Sequence, residues 1–299
     1  MVKSYTLTIA STSGGSVTEP GEGIFTYAKG KVVSLVTTPN ACYHFANWSG
    51  DVSTIADINS ATTTITMNGD YAVTANLEEE VMTFTDPYLE AAVRDIIGIP
   101  EGPIYPSYIG WSLNATAKNI TDLSGLECAS SLTSLYLIGN QVSDVSPLAN
   151  LVDLQRLWLR DNQISDISPL ANLTELTVLA LSNNQITTII DLANLTSLTW
   201  LYLEHNQISD ISTVANFTSL TFLGLGGNQI SDISPLANLT NADDFDLSDS
   251  QISDIFPLVQ NEGLATGDIV DLRWNPLSSD SINIYIPQLE ARGVTVYTH

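Results

Sequence analysis

The sequence predicts a mixed β/α chain: a small β-rich domain, then a right-handed solenoid with a parallel β-sheet on its concave face. Three observations carry that prediction. Leu132, Leu154, Leu176, Leu198 and Leu220 each lie 22 residues from the next. The segments around them repeat almost verbatim, as "LTSLYLIGNQVSDVSPLAN", "LQRLWLRDNQISDISPLAN" and "LTFLGLGGNQISDISPLAN". Residues 4–77, by contrast, alternate apolar and polar with a period of two. A fixed period in the twenties marks a solenoid, and the phrase L-x-x-L-x-L-x-x-N is that of a leucine-rich repeat.

The chain has 299 residues, room for two domains, and its 44% apolar content can fill a continuous core. Nine Lys plus Arg stand against 33 Asp plus Glu, a net charge of −24. Nucleic acids and anionic membranes demand basic patches, so neither is expected as a partner. No apolar run approaches the roughly 18 residues of a membrane span, and direct membrane insertion is not expected. Met1-Val2-Lys3 leads into a strand without an apolar leader, which fits either a cytosolic protein or one whose export signal and anchor lie outside this chain. The second is preferred, and the expected location is extracellular or cell-surface. Cys42 and Cys128 fall in different predicted domains, so two buried thiols are expected rather than a disulfide framework.

The β-rich domain is assigned to residues 1–79. Its strands are "YTLTIA", "KVVSLVTT", "TTTITM" and "YAVTANL", with Asn68-Gly69-Asp70 as a hairpin turn between the last two. Tyr43, Phe45 and Trp48 are expected to add bulk to its core, and Glu78-Glu79-Glu80 marks the seam. A helical N-terminal cap is assigned to residues 80–109. Asp86 and Pro87 open its helix, Leu89, Val93, Ile96 and Ile97 form the apolar face, and Gly98 ends it. Such a face can cover the first open edge of a solenoid core.

Repeats of 22 residues occupy 110–277. A degenerate first turn is followed by five regular ones with Asn140, Asn162, Asn184, Asn206 and Asn228 in phase. In the next turn Ala242, Phe245 and Ser250 replace Leu, Leu and Asn, and a three-residue insertion sets Leu272 25 residues after Leu247. Residues 278–299 form an α/β C-terminal cap: a helical pattern from near Asp280, Pro287 inside it, Gly293 as stop, and the closing strand "VTVYT".

Within each L-x-L phrase the leucines point inward and their neighbours outward. The Asn can satisfy backbone groups at the bend, and "DISPLAN" suits a short 3₁₀ or irregular convex segment. Function in the repeats must therefore sit on the outward strand positions. These carry Tyr136 and Trp158 among Arg156 and Arg160, then Trp200, Tyr202 and Phe222 with Glu204 and His205 at their edge. Exposed Trp, Tyr and Arg are enriched at interface hot spots, and these nine residues are the expected partner-binding set. Gly224, Gly226 and Gly227 strip one turn of side chains, which suggests a recess beside Phe222. The competing explanation is that wide rings on a strand ladder merely stabilise it by stacking.

No cofactor is expected. Asp144, Asp166, Asp210, Asp232 and Asp254 recur at one repeat phase, where turn solvation is preferred over calcium because no D-x-D-x-D-G loop is present. Asp244, Asp246 and Asp249 at the acidic end are a slightly better calcium candidate, though no metal site is assigned. Sequons at Asn172, Asn194, Asn216 and Asn238 share one repeat phase and need no glycan to explain them. His44, His205 and His299 show no ligand spacing, and no nucleophile elbow or phosphate loop occurs, so catalysis is not expected.

"NQISDISPLANLT", with "FTDPYLEAAVRDIIG" before the repeats and "NPLSSDSINIYIPQLEARGVTV" after them, resembles the internalin-type leucine-rich repeat proteins. The N-terminal "FANWSGD" and "ITMNGDYAVTANL" are similar to the divergent B-repeat module of that family, which here precedes the solenoid. The resemblance implies a bacterial surface or secreted protein that binds a protein partner or mediates adhesion, with the B-repeat as a spacer. Two alternatives stay open: a carbohydrate-binding module using the same rings, and a purely structural stalk. No invasive role is carried over.

Overall fold

The computed structural model describes residues 3–298; Met1, Val2 and His299 lie outside the described residues. The chain forms two compact units, one running to Met82 and including Pro103–Pro106, the other holding Thr83–Gly102 and everything from Ser107 onward.

The first unit is built from β1 (Ser4–Ser11), β2 (Gly15–Glu19), β3 (Gly23–Ala28), β4 (Val32–Pro39), β5 (Tyr43–Gly50), β6 (Thr62–Thr66) and β7 (Tyr71–Glu79). They form a four-stranded sheet in the order β3-β1-β7-β5 and a three-stranded sheet in the order β2-β4-β6. Alternate residues Leu7, Ile9, Val33, Leu35, Ile65 and Val73 are buried in one core with Trp48 and Met67. Trp48 is 2% exposed and donates its indole N–H to the Ser60 carbonyl at 3.0 Å, whereas Phe45 and Tyr43 are only partly buried.

The expected hairpin at Asn68-Gly69-Asp70 is overturned. β6 pairs with β4, while β7 pairs with β1 and β5, so this turn passes between sheets. Asp70 explains the change of direction: its carboxylate accepts the Thr6 backbone N–H at 2.7 Å and the Thr6 hydroxyl at 2.9 Å. Those two bonds hold its carboxyl below the usual range and tie the end of the turn to β1. The cysteines are a second correction. Neither is a free thiol; Cys42 and Cys128 are both disulfide-bonded.

The second unit opens with α1 (Pro87–Ile97), capped by Asp86 and ended by Gly98 in the left-handed region at φ 71°. Leu89, Ala92 and Val93 form its buried stripe, and Ile96, expected on that face, is 45% exposed. Spacing i, i+4, i+7 leaves Ile96 on the rim of a stripe that Ala92 already fills. Asp86 itself is buried, which opposes its ionisation. Bonds from the Thr121 and Leu89 N–H groups, the Thr121 hydroxyl and the Tyr88 N–H outweigh burial and hold the carboxyl below its usual range.

A depressed folded-state carboxyl adds stability above the unfolded value and loses it as pH falls through the folded one. Asp86→Ala should therefore cost about 1–2 kcal/mol near neutrality, as lost caps do, with the gap to the parent closing below about pH 4. Urea midpoints measured across that range check both statements. A gap that stays constant to acid pH would contradict the assignment.

Nine parallel strands follow in strict order: β8 (Ser112–Asn114), β9 (Ser134–Tyr136), β10 (Arg156–Trp158), β11 (Val178–Ala180), β12 (Trp200–Tyr202), β13 (Phe222–Gly224), β14 (Asp244–Asp246), β15 (Ile269–Asp271) and β16 (Thr295–Tyr297). Register is one turn per rung, with Leu157 opposite Leu135 and Leu179. The repeat leucines from Leu135 to Leu225 are 0% exposed, and Phe217 and Phe245 fill leucine positions at the same depth. Full burial of each such side chain is worth about 1.5–3 kcal/mol.

Polar ladders seal the bends. Asn184 is representative: its Oδ1 accepts the Ile164 N–H at 2.9 Å, and its Nδ2 donates to the carbonyls of Leu159 at 3.0 Å and Leu181 at 2.9 Å. Asn140, Asn162, Asn206, Asn228 and Asn275 repeat the pattern. The residue before each Asn lies in the left-handed region, filled by Gly139, Asp161, Asn183, His205 and Gly227 among others. A second ladder, missed in the sequence, is made by threonine: the Thr177, Thr199 and Thr221 hydroxyls each donate to the carbonyl one rung back.

On the other side run 3₁₀ turns at Ser146–Leu148, Ser168–Leu170, Ile190–Leu192, Ser212–Asn216 and Ser234–Asn238. Asp144, Asp166, Asp210 and Asp232 each accept the N–H two residues on, at 2.8–2.9 Å, and so serve the turn starts. In the turn after β14 the same place is taken by α2 (Phe256–Gln260), and the C-terminal cap comprises a π-helical turn at Ser281–Tyr285 and α3 (Ile286–Ala291). Pro287 lacks the N–H that a tighter helix would use there, so the turn widens. Arg292 reaches from its end to the carbonyls of Asn261, at 2.8 Å, and Val259.

Candidate functional site

The outward face of the nine-stranded sheet carries the expected ring residues, but their arrangement differs from two separate clusters. Tyr136 and Trp158 stack at 6.3 Å with 13° between planes. Trp158 then meets Tyr202 at 5.7 Å, although their strands flank β11, and Tyr202 meets Phe222 at 4.6 Å. Trp200 joins edge-on to Tyr202 at 6.5 Å and donates its indole N–H to the Thr221 hydroxyl at 3.0 Å. One continuous aromatic stripe results.

The bridge from Trp158 to Tyr202 depends on the rung beneath. β11 offers only Val178 and Ala180, with Ser182 next, and large neighbours fold over small ones. Ala180 is 1% and Ser182 4% exposed, although alternation places both on the outward side. Ser134 and Val178 are covered in the same way, so these outward positions are not open surface.

The recess expected beside Phe222 is also overturned. A β-carbon at Gly224 would collide with the Glu204 carboxylate, one at Gly226 with Asp246 and Ser248, and one at Gly227 with His205. Neighbouring side chains thus occupy the space the glycines leave. The actual recess, of about 310 Å³, lies two turns earlier over Ala180 and Ser182. Trp158 and Arg160 form one side, Tyr202 and His205 the other, and Glu204 and Asp246 line the acidic end.

Electrostatics divide the lining. Arg160 pairs with Asp161 at 3.2 Å, and Asp161 also accepts from the Asn183 amide at 2.7 Å. Arg156 is exposed and makes no ion pair among the described residues. Glu204 accepts a close hydrogen bond from the Ser182 hydroxyl, and Asp246 accepts the Ser248 hydroxyl at 2.6 Å and N–H at 3.0 Å. Burial, with Glu204 and Asp244 nearby, pushes the Tyr202 phenol up. Burial also pushes Asp244 up, with Asp243, Asp246 and Asp271 adding repulsion. The indole N–H of Trp158 is shielded from solvent and has no acceptor among the described residues.

Of the acidic candidates for calcium, Asp246 serves a turn, and Asp249 occupies the left-handed position at φ 47°. Among the described residues no group of three or more His, Cys, Asp or Glu is placed to hold a metal ion. At the end of the sheet Arg273 is bound to Asp271 at 2.9 Å and lies 5.2 Å from the Trp274 ring.

Sequence reading missed Ala180, Ser182, Asn183 and Asp246 as recess residues. Their signal was the run of small residues in one turn between turns rich in rings, visible across rungs rather than down columns.

Comparison with known proteins agrees with this architecture. The divergent InlB B-repeat domain matches residues 5–80, and leucine-rich repeats in two copies match residues 152–194 and 196–238. No curated protein matches the chain significantly. Among solved structures, an internalin C2 from Listeria monocytogenes is 32% identical, with a TM-score of 0.65 over 72% of this chain and 94% of that one. An internalin F from the same species is 25% identical, with a TM-score of 0.47 over 72% of this chain and 77% of its own.

Proposed function

The chain belongs to the internalin family of leucine-rich repeat proteins, and on that premise we propose that it is a non-catalytic extracellular or cell-surface protein that recognises a protein partner with the outward face of its repeat sheet. The observation that carries the proposal is the unbroken stripe of Tyr136, Trp158, Tyr202 and Phe222, with Trp200 46% exposed at its edge. Contiguous half-buried rings with an exposed one at their edge, on a sheet whose core is already complete, mark a contact surface. Stacking alone accounts poorly for the stripe. It gives no reason for the open Trp200 ring.

Arg156, exposed and unmatched, is the position for an anionic group of the partner. Arg160 is tied to Asp161 and contributes less. The disulfide-bonded cysteines and the absence, among the described residues, of a helix long and apolar enough to cross a membrane are compatible with life outside the cytoplasm. The B-repeat module, residues 1–79 in the sequence-based division, then acts as a spacer.

The test is capture of proteins from the native surroundings on the immobilised chain, beside a Trp158→Ala/Trp200→Ala variant and a glycan array. A protein retained by the parent and lost by the variant is the expected result. A glycan bound in preference would replace protein recognition with carbohydrate binding. Self-association with no partner enriched would favour a structural stalk.

A further inference from the structure

We propose that the recess over Ala180 and Ser182 is a subsite for an arginine side chain projecting from the partner. This rests on the partner-binding role of the sheet face and specifies the chemistry recognised there. Three features define the occupant. At about 310 Å³ the space is at the small end of ligand pockets, which span about 300–1,000 Å³, and so takes one side chain rather than a larger molecule. The Trp158 and Tyr202 rings, 5.7 Å apart and 35° from parallel, offer π-faces against which a planar cation stacks.

Charge completes the selection. The only cation in the lining, Arg160, is already matched by Asp161. The carboxylates of Glu204 and Asp246 have hydroxyl and N–H donors and form no salt bridge among the described residues; Arg273 acts on Asp246 from a distance but is itself bound to Asp271. Beyond these carboxylates Asp243 and Asp244 deepen the negative field; the Asp244 carboxyl is raised first by burial and then by Asp243, Asp246 and Asp271. A guanidinium suits this better than an ammonium because it stacks through its plane and forks its donors towards carboxylates. The glycine turn is part of the design. It lets Glu204 lie over Gly224 and Asp246 over Gly226, so both carboxylates lie flat against the sheet beside the recess rather than standing away from it.

The test titrates the full chain with acetyl-Gly-Arg-Gly-amide and with its citrulline, lysine and glutamate counterparts, following the Trp158 indole N–H by NMR. Citrulline keeps the shape of arginine and removes the charge. The arginine peptide should give a saturable shift, citrulline should bind at least tenfold more weakly, lysine should fall between them, and glutamate should have no effect. Glu204→Gln with Asp246→Asn, near-isosteric changes, should weaken arginine binding by tenfold or more while the thermal midpoint of the protein stays within a few degrees.

Equal binding of arginine and citrulline, preference for glutamate, or no saturable shift with arginine would overturn the proposal. The two levels separate cleanly. Partner capture lost in Trp158→Ala without any arginine preference leaves the binding face standing and removes the subsite. Arginine binding with capture indifferent to Trp158→Ala does the reverse.

Discussion

Asn184→Ala should lower the stability of the repeat unit by about 3–5 kcal/mol, more than any change to an outward residue. The side chain is 9% exposed, and its removal strands the Ile164 N–H and the carbonyls of Leu159 and Leu181 in a closed bend. Each buried group left unmatched costs about 1–3 kcal/mol, and partial entry of water sets the lower bound. The loss spreads along the solenoid because each turn is held chiefly by its neighbours. The urea midpoint by circular dichroism reads the effect, and a change below about 1 kcal/mol would show that the ladder is incidental. Ser250 is the natural counterpart: it stands in the Asn phase, and its hydroxyl is buried without a partner among the described residues.

Trp158→Ala should weaken partner binding by about 2 kcal/mol or more, close to thirtyfold, as truncation of a hot-spot ring does. Trp158 is the centre of the stripe. It stacks on Tyr136, bridges Ala180 to reach Tyr202, and walls the recess. Its loss opens the surface between the two ends and removes the unmatched N–H. Stability should fall less than affinity, because the half-buried ring lies on the outward side of the sheet and not among the inward leucines. Isothermal titration with the captured partner, beside a melting curve, distinguishes the two effects. A variant that melts early and binds normally would mean the rings serve only to brace the strands.

The solenoid was legible because its physics is periodic. At 22-residue spacing leucines recur inside, Asn recurs at the bend except at Ser250, and Asp recurs at the 3₁₀ start except at Thr188. Asp86 with Pro87 likewise announces its helix by local chemistry alone. What stayed hidden depends on which elements are neighbours. Alternation in "TTTITM" and "YAVTANL" reports which face is buried but not which strand pairs with which, so the turn at Asn68-Gly69-Asp70 was assigned to the wrong partners.

At the site, residue type gave the rings, while side-chain lean decided their connection. Small Ala180 lets Trp158 and Tyr202 meet, and the glycines are covered rather than left open.

The most direct measurement places a photoreactive residue at Arg156 on the sheet face and, as control, at Asn194 on the opposite side of the coil, then irradiates each with the captured partner. The account predicts covalent capture from position 156 and none from position 194. Crosslinking from 194 alone would contradict it.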